Sequence, residues 1–386
     1  MKGKVIMNRD DYRKMIDEID DKLVELFAQR MGVSAKIAEF KKENSLPVLD
    51  VRREREKLKQ VVTEVPEELS EYTSLLYSMI FELSRSYQNK LIGAGSELAD
   101  SISRAINETP KLFPERTSVA CQGVEGAYAQ IACDKLFKSA NIMYFSNFDA
   151  VFSAVDKGFC KYGVVPLENS TAGSVNSVYD LMTKYKFSIV RSIRLKVDHN
   201  LLVKPGTELS DIKEIYSHQQ AITQCSEFLS SLKGVKIIPC ENTAVAARMV
   251  AESDRNDIAT LSSRECMKLY GLKCLKPSVQ DKDNNYTRFI CISKNLEIYP
   301  GADRTSLLAV LEDKPGSLYK LLSRLYALGI NLSKLESRPI PEREFEFMFY
   351  FDLDAPVYSP EFLQLMSELD DICEEYNYLG SYSEII

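Results

Sequence analysis

Two arginines and a lysine, Arg13, Arg30 and Lys41, project towards one side of a single long helical pattern, interleaved with apolar residues. The apolar stripe reads Tyr12, Ile16, Ile19, Leu23, Leu26, Val33, Ile37 and Phe40, in steps of four and three. That is the period of a helix packed against other helices. Arg30 stands where the series between Leu26 and Val33 is completed, and Phe27, Ser34 and Lys41 follow one flank in steps of seven. A guanidinium within a buried stripe needs an anion, because an unpaired buried charge costs several kcal/mol. Snorkelling past the core edge is the alternative, and it suits Arg13 and Lys41 near the helix ends better than Arg30 in the middle. The chemistry on offer is recognition of carboxylates, which guanidinium groups clamp with a rigid two-pronged geometry.

Other candidate groups cluster where elements begin. Asp50 is a natural N-cap for a second helix, with Arg53 and Glu54 in its first turn; an arginine there is mildly disfavoured by the helix dipole. Ser84 and Gln88 lie one turn apart near the end of a third. Further on, the apolar run Gly163–Leu167 ends in Glu168, Asn169, Ser170 and Thr171, which open a helix, and capping alone would account for the asparagine, serine and threonine. Ser217 and His218, leading to Gln224, mark another strand-to-helix junction, and Thr287-Arg288-Phe289 opens a strand.

Three textures position these groups. Residues 1–92 read as all-helical, with Pro47 and Pro66 dividing helices at about 9–43, 50–63 and 67–91. The first would be about 50 Å long, too long to hide its stripe in one small unit, so a helical dimer is expected. A Gly-, Ser- and Pro-containing linker, with a helical turn or two inside, covers 93–115. From 116 to 295 short apolar runs alternate with helical patterns, the signature of an α/β unit with a mostly parallel sheet, whose ligands bind where strands end and helices begin. The last unit, 303–386, reads strand, helix, strand, strand, helix, strand, the ferredoxin-like βαββαβ order.

The totals bound the function. A chain of 386 residues, 45% hydrophobic and 27% charged, is globular and has more than one domain. Net charge of −7 argues against non-specific nucleic-acid binding and against an anionic membrane surface. No apolar run approaches the ~20 residues that span a bilayer. Nine cysteines are scattered without a Cys-x-x-Cys pair, which fits reduced thiols in cytosol, and two histidines exclude a His-rich metal site. A cytoplasmic location is expected.

The helical residues, taken together, resemble the chorismate mutase family: Arg13, Arg30, Lys41, Asp50, Arg53, Glu54, Ser84 and Gln88 match its site in register. The resemblance implies a pericyclic rearrangement of the dianion chorismate without nucleophile, metal or cofactor. Arg30, and Arg13 from a partner subunit, would hold the carboxylates. Lys41 and Gln88 would donate to the ether oxygen, while Asp50, Arg53, Glu54 and Ser84 position the ring hydroxyl and carboxylates.

The middle unit resembles prephenate dehydratase. It carries that family's elements at Gly123 to Ala129, Val165 to Asn169, Ser217 to Gln224, and Thr287-Arg288-Phe289. Two lobes of the periplasmic-binding-protein type with a site between them are implied. Thr287 would polarise or protonate the leaving hydroxyl of prephenate, and Arg288 would hold the substrate. Glu168, Asn169, Ser170, Thr171 and Gln224 would shape the polar wall, with Ser217 and Phe289 beside them. Ala129 stands where the family has serine, and Gln219 where proline is common.

The last unit resembles phenylalanine-responsive ACT domains, through Gly316-Ser317-Leu318 and Glu336-Ser337-Arg338-Pro339. L-phenylalanine is the implied effector, with its carboxylate at the helix N-terminus near Gly316. From about residue 8 onward the chain resembles the bifunctional chorismate mutase/prephenate dehydratase family. A homodimer is expected, with pairing into tetramers open. The rival readings are a mutase whose middle and ACT regions only sense amino acids, and a non-catalytic sensor built on a solute-binding fold.

Overall fold

The computed structural model describes residues 8–93, 96–340, 343 and 346–386. Helix α1 (Arg9–Glu43) starts on a capping box in which Asn8 accepts from the N–H groups of Asp10 and Asp11 and Asp11 answers to Asn8. Asp50 accepts from the Arg53 N–H at 2.9 Å and opens α2 (Val51–Thr63). α3 (Ser70–Ile92) ends on Gly93 in the left-handed conformation. α1 meets α3 through the small buried residues Ser34 and Ala38, not through its apolar stripe. Ile16, Leu26 and Phe40 stay 56%, 61% and 58% exposed within one chain.

The stretch expected to be a linker contains α4 (Glu97–Glu108), a full three turns. Ser96 caps it, and Ala99, Ile102 and Ala105 are buried, two of them in the C-terminal core. The flanking glycine, serines and prolines masked an apolar face at 98, 99, 102, 105 and 106.

The middle unit has two lobes. The first runs β1 (Arg116–Gln122), α5 (Tyr128–Leu136), β2 (Ser139–Phe145), α6 (Phe148–Asp156), β3 (Tyr162–Asn169), β4 (Gly173–Ser174), α7 (Asn176–Tyr185) and β5 (Ser188–Lys196). The second runs β6 (Asn200–Val203), β7 (Glu214–His218), α8 (Gln219–Gln224), α9 (Ser226–Ser231), β8 (Lys236–Cys240), α10 (Thr243–Glu252), β9 (Ile258–Ser262), α11 (Arg264–Leu269) and β10 (Lys273–Lys276). The chain then returns to the first lobe as β11 (Tyr286–Ser293). Both sheets are mixed rather than mostly parallel. β11 runs antiparallel to β3 and β5, and β6 antiparallel to β9 and β10, because the chain crosses between lobes twice and re-enters in the reverse direction.

The C-terminal unit is β12 (Arg304–Val310), α12 (Ser317–Ala327), β13 (Asn331–Pro339), β14 (Phe347–Asp354), α13 (Pro360–Ile372), β15 (Glu375–Tyr382) and β16 (Glu384–Ile385). Its sheet order β13-β14-β12-β15 is ferredoxin-like. β16 leaves that sheet to pair with β5, which ties the unit to the first lobe. Beside it, a Cβ on Gly380 would lie 2.4 Å from the Ile189 carbonyl oxygen, so only glycine allows β15 so near β5.

Candidate functional site

In the helical unit, α1, α2 and α3 bring Arg30, Lys41, Glu54, Ser84 and Gln88 into one region. Arg30 Nη1 donates to Ser84 Oγ, and its guanidinium lies 5.8 Å from the centre of the Phe81 ring. Among the described residues it has no carboxylate partner, although burial of this group pulls its pKa down. Gln88 Nε2 donates to Ser34 Oγ at 3.3 Å, while the Gln88 carbonyl oxygen is buried and unpartnered. Lys41 donates to the Val48 carbonyl, and its ammonium is likewise lowered by burial, against the opposing pull of Asp50 and Glu54. The result is a cluster of two cations, Arg30 and Lys41, beside Ser84 and an amide with an unspent carbonyl oxygen.

Two of the expected residues lie apart. Arg53 is exposed and contributes only its backbone N–H to Asp50. Arg13 is paired at 3.3 Å with Asp10 and sits 17 positions before Arg30, about 25 Å along the helix. It reaches an Arg30 site only from another chain. Sequence reasoning missed Arg85, which bridges Glu54 and Glu82 and so fixes the Glu54 carboxylate; its place next to Ser84 on α3 was the available signal.

A cavity of about 540 Å³ separates the two lobes of the middle unit. Asn169, Ser174, Thr287 and Phe289 line it from the first lobe, His218 and Gln224 from the second, and His199 from the crossing. One hydrogen-bond network joins these walls. Asn169 Nδ2 donates to Thr287 Oγ1 at 2.9 Å and to Asn285 Oδ1 at 2.8 Å, and Asn169 Oδ1 accepts from Thr171 Oγ1 at 2.7 Å. Gln224 Nε2 donates to Thr171 Oγ1 at 2.8 Å, and Gln224 Oε1 accepts from Asn285 Nδ2 at 3.0 Å. His199 Nε2 lies 2.9 Å from Gln224 Oε1; burial keeps this imidazole's pKa below the usual histidine range, and its Nδ1 has no partner. Thr287 thus accepts from Asn169 and retains its own O–H for the cavity. Asn285 and His199 were not singled out as site residues, although Asn285 lies two positions before Thr287 and His199 is one of only two histidines.

Four residues expected to act in this cleft, Arg288, Glu168, Ser217 and Ser170, are spent on other partners. Thr287 and Arg288 are consecutive strand residues, so their side chains leave opposite faces, and Asn169 and Glu168, their register partners, do likewise. Arg288 is 4% exposed and pairs with Glu168 at 2.9 Å and with Asp352 of β14 at 2.6 Å, away from the cavity. It is therefore no substrate clamp, and Glu168, paired with it and with Lys334, is no part of the cavity wall. Ser217 donates to the Leu261 carbonyl at 2.8 Å and Ser170 to that of Asn284 at 2.6 Å, so both pin backbone. Among the described residues the cavity lining contains no lysine or arginine, and Glu241 is its carboxylate. Instead the starts of α5, α7 and α10 line it, and helix N-termini receive carboxylates through free N–H groups and the dipole. Ala129 lies in this lining, at the first turn of α5.

In the C-terminal unit Gly316, at φ 89°, precedes α12, with Ser317 and Leu318 in its first turn. Glu336 and Arg338 turn instead towards the middle unit. Glu336 accepts from the Ser174 hydroxyl, and Arg338 donates to Asn176 and Asp180. Ser337 and Pro339 face outward.

Two family models match in the order of these units: chorismate mutase type II over residues 12–89 and prephenate dehydratase over 119–297. The bifunctional chorismate mutase/prephenate dehydratase of Escherichia coli (strain K12) is 31% identical over 380 residues, covering 96% of this chain and 95% of that one. A solved prephenate dehydratase from Arthrobacter aurescens in complex with L-Phe is 28% identical at a TM-score of 0.63, covering 69% of this chain and 89% of that one. A further solved structure, GqqA, described as a novel type of quorum quenching acylase, is 30% identical at 0.62, covering 69% and 97%. With both models matched in order and a relative aligned over nearly its whole length, the chain belongs to the bifunctional chorismate mutase/prephenate dehydratase family.

Proposed function

We propose that the helical unit converts chorismate to prephenate and that the two-lobed unit converts prephenate to phenylpyruvate, CO2 and water. The observation that carries this is Arg30, a half-buried guanidinium without a carboxylate partner among the described residues. The missing anion is the substrate. The first step is a rearrangement within one molecule, so the protein has to hold a compact conformer and stabilise charge on the ether oxygen. Arg30 takes a carboxylate, and Lys41 and Gln88 serve the oxygen. In the second step the ring carboxylate leaves as CO2, its bonding electrons enter the ring, and the hydroxyl departs with one proton as water. Helix N-termini hold the anion, and the Thr287 hydroxyl meets the leaving group. Purified protein given chorismate alone should accumulate phenylpyruvate; accumulation of prephenate would demote the middle unit to binding.

The pKa of Lys41 provides a check with a definite sign. The donor must be the ammonium form, and burial lowers its pKa. Mutase kcat/KM should therefore fall as pH rises, on a limb below the ordinary lysine value of about 10.4. The Lys41→Arg variant, if active, should move the limb upward. A wild-type profile flat to the ordinary lysine range would remove Lys41 from this role.

The same proposal takes the exposed α1 stripe as a dimer face, which also brings Arg13 of a second chain to Arg30. It takes the ferredoxin-like unit as an ACT domain that binds L-phenylalanine and restrains the dehydratase, supported by the Gly316-Ser317-Leu318 turn at a helix start. Nine free thiols support a cytosolic location.

A further inference from the structure

β13 is an edge strand whose two faces do different things. Lys334, Glu336 and Arg338 are half-buried, whereas Ser333, Leu335, Ser337 and Pro339 are exposed. The inward side chains grip the first lobe. Lys334 Nζ pairs with Glu168, donates to the Tyr179 hydroxyl at 2.9 Å and lies 3.1 Å from Ser174 Oγ. Glu336 accepts from Ser174. Arg338 donates to both oxygens of Asn176 at 3.1 Å and to Asp180 at 2.9 Å, with its guanidinium 5.4 Å from the Tyr179 ring centre.

The gripped residues are β4 and the first turns of α7. Ser174 and Val175 are cavity lining, and Gly173 and Ser174 pair with Asn169 and Glu168. Lys334 stays charged there: burial alone would lower its pKa, but Tyr179 and Glu168 outweigh that and raise it. Elsewhere the unit is anchored by interior elements. Arg288 holds Asp352 on β14, β16 pairs with β5, and β15 abuts β5 at Gly380. β13 is one edge of its sheet, with β14 as its strand neighbour, whereas the other edge, β15, lies against β5.

We propose that β13 is the coupling strand of this enzyme: Lys334, Glu336 and Arg338 are not effector ligands but the grip through which the C-terminal unit moves the Ser174–Val175 wall of the dehydratase cleft. An effector inhibits only through contacts that differ between two arrangements, and this grip is the polar contact that the edge strand makes with the Ser174–Val175 wall. The inference rests on the reading of that unit as an L-phenylalanine sensor.

The test is a Lys334→Met/Arg338→Gln double variant, with L-phenylalanine binding measured by calorimetry. The dehydratase rate is measured with and without saturating L-phenylalanine, so that the ratio cancels any change in basal rate. Binding should stay within about 3-fold of wild type while the rate ratio falls by about 10-fold or more. Loss of binding would make these residues ligands, and an unchanged ratio would place the coupling elsewhere; either overturns the inference alone. A wild type that neither binds L-phenylalanine nor responds to it overturns the sensor reading, and the coupling with it. Should the double variant fail to fold, Asp180→Asn weakens the grip from the lobe's side under the same readouts.

Discussion

Replacing Arg30 by alanine is expected to lower mutase kcat/KM at least ~10²-fold, while dehydratase activity on added prephenate stays at the wild-type level. The physical ground is that Arg30 is held for a ligand rather than for the fold. Its guanidinium rests on Ser84 and the face of Phe81, and Ser84 also donates to the Ile80 carbonyl at 2.8 Å, so α3 keeps its own hydrogen bond when Arg30 is gone. The truncation removes no internal ion pair, and the destabilisation should be within about 1 kcal/mol. What is lost is a bidentate hold on a carboxylate, for which a smaller side chain has no substitute. A lysine in its place should recover only part of the rate, because a point charge does not reproduce the fork.

The same variant also tests the dimer. Arg13 lies about 25 Å along α1 from Arg30, so in the proposed dimer each site would combine Arg30 of one chain with Arg13 of the next. Chains carrying only Arg13→Ala and chains carrying only Arg30→Ala should each be nearly inactive as mutases. Mixed after dissociation and reassembly, they should recover about a quarter of wild-type activity, since half the dimers then hold one good site of two. No recovery would mean that Arg13 serves its own chain or none, and that the exposed stripe from Tyr12 to Phe40 has another purpose.

Much of this was legible in residue order. Arg30 stood out because it interrupts a period, and the C-terminal βαββαβ order survived because each element carries its own start and stop signals. What was not legible is instructive. The stripe on α1 announced that it must be covered, but a sequence does not say by which chain, and within one chain it is exposed. α4 was masked because breakers on both sides drew attention away from an apolar face only three turns long. Mixed strand directions in the middle unit come from two lobe crossings, which depend on long-range pairing that local patterns do not encode.

The dehydratase motifs were misread for a different reason. Thr287-Arg288 and Glu168-Asn169 look like functional units when read as strings. On a strand the period is two, so each pair is split, with one residue facing the cleft and its neighbour facing the C-terminal sheet. That split was not visible in the apolar run preceding Glu168, which is continuous rather than alternating. The division has a chemical consequence: on the first-lobe side the cavity holds neutral donors and helix ends, and the charges of Glu168 and Arg288 stand behind the strands, where they join the cleft to Lys334 and Asp352.

Thr287→Ala should therefore lower dehydratase kcat by about 10²–10³-fold, with KM changed far less and mutase activity untouched. The hydroxyl is the one cavity group of β11 able to donate towards a departing oxygen, and Asn169 fixes its orientation by occupying its acceptor side. Removing it should not collapse the site. Asn169 Nδ2 keeps the Asn285 side chain at 2.8 Å and the Tyr286 carbonyl at 3.2 Å as acceptors, so no buried donor is orphaned. The stability cost should then be near 1 kcal/mol. Thr287→Ser retains the O–H and should recover most of the rate, whereas Thr287→Val retains the shape and should not, which separates donation from packing. A loss confined to KM would make Thr287 a binding group only. An alanine variant with wild-type turnover would move the donor role to another cavity residue, His218 or Glu241, and would leave the Asn169 network as scaffolding for the cleft.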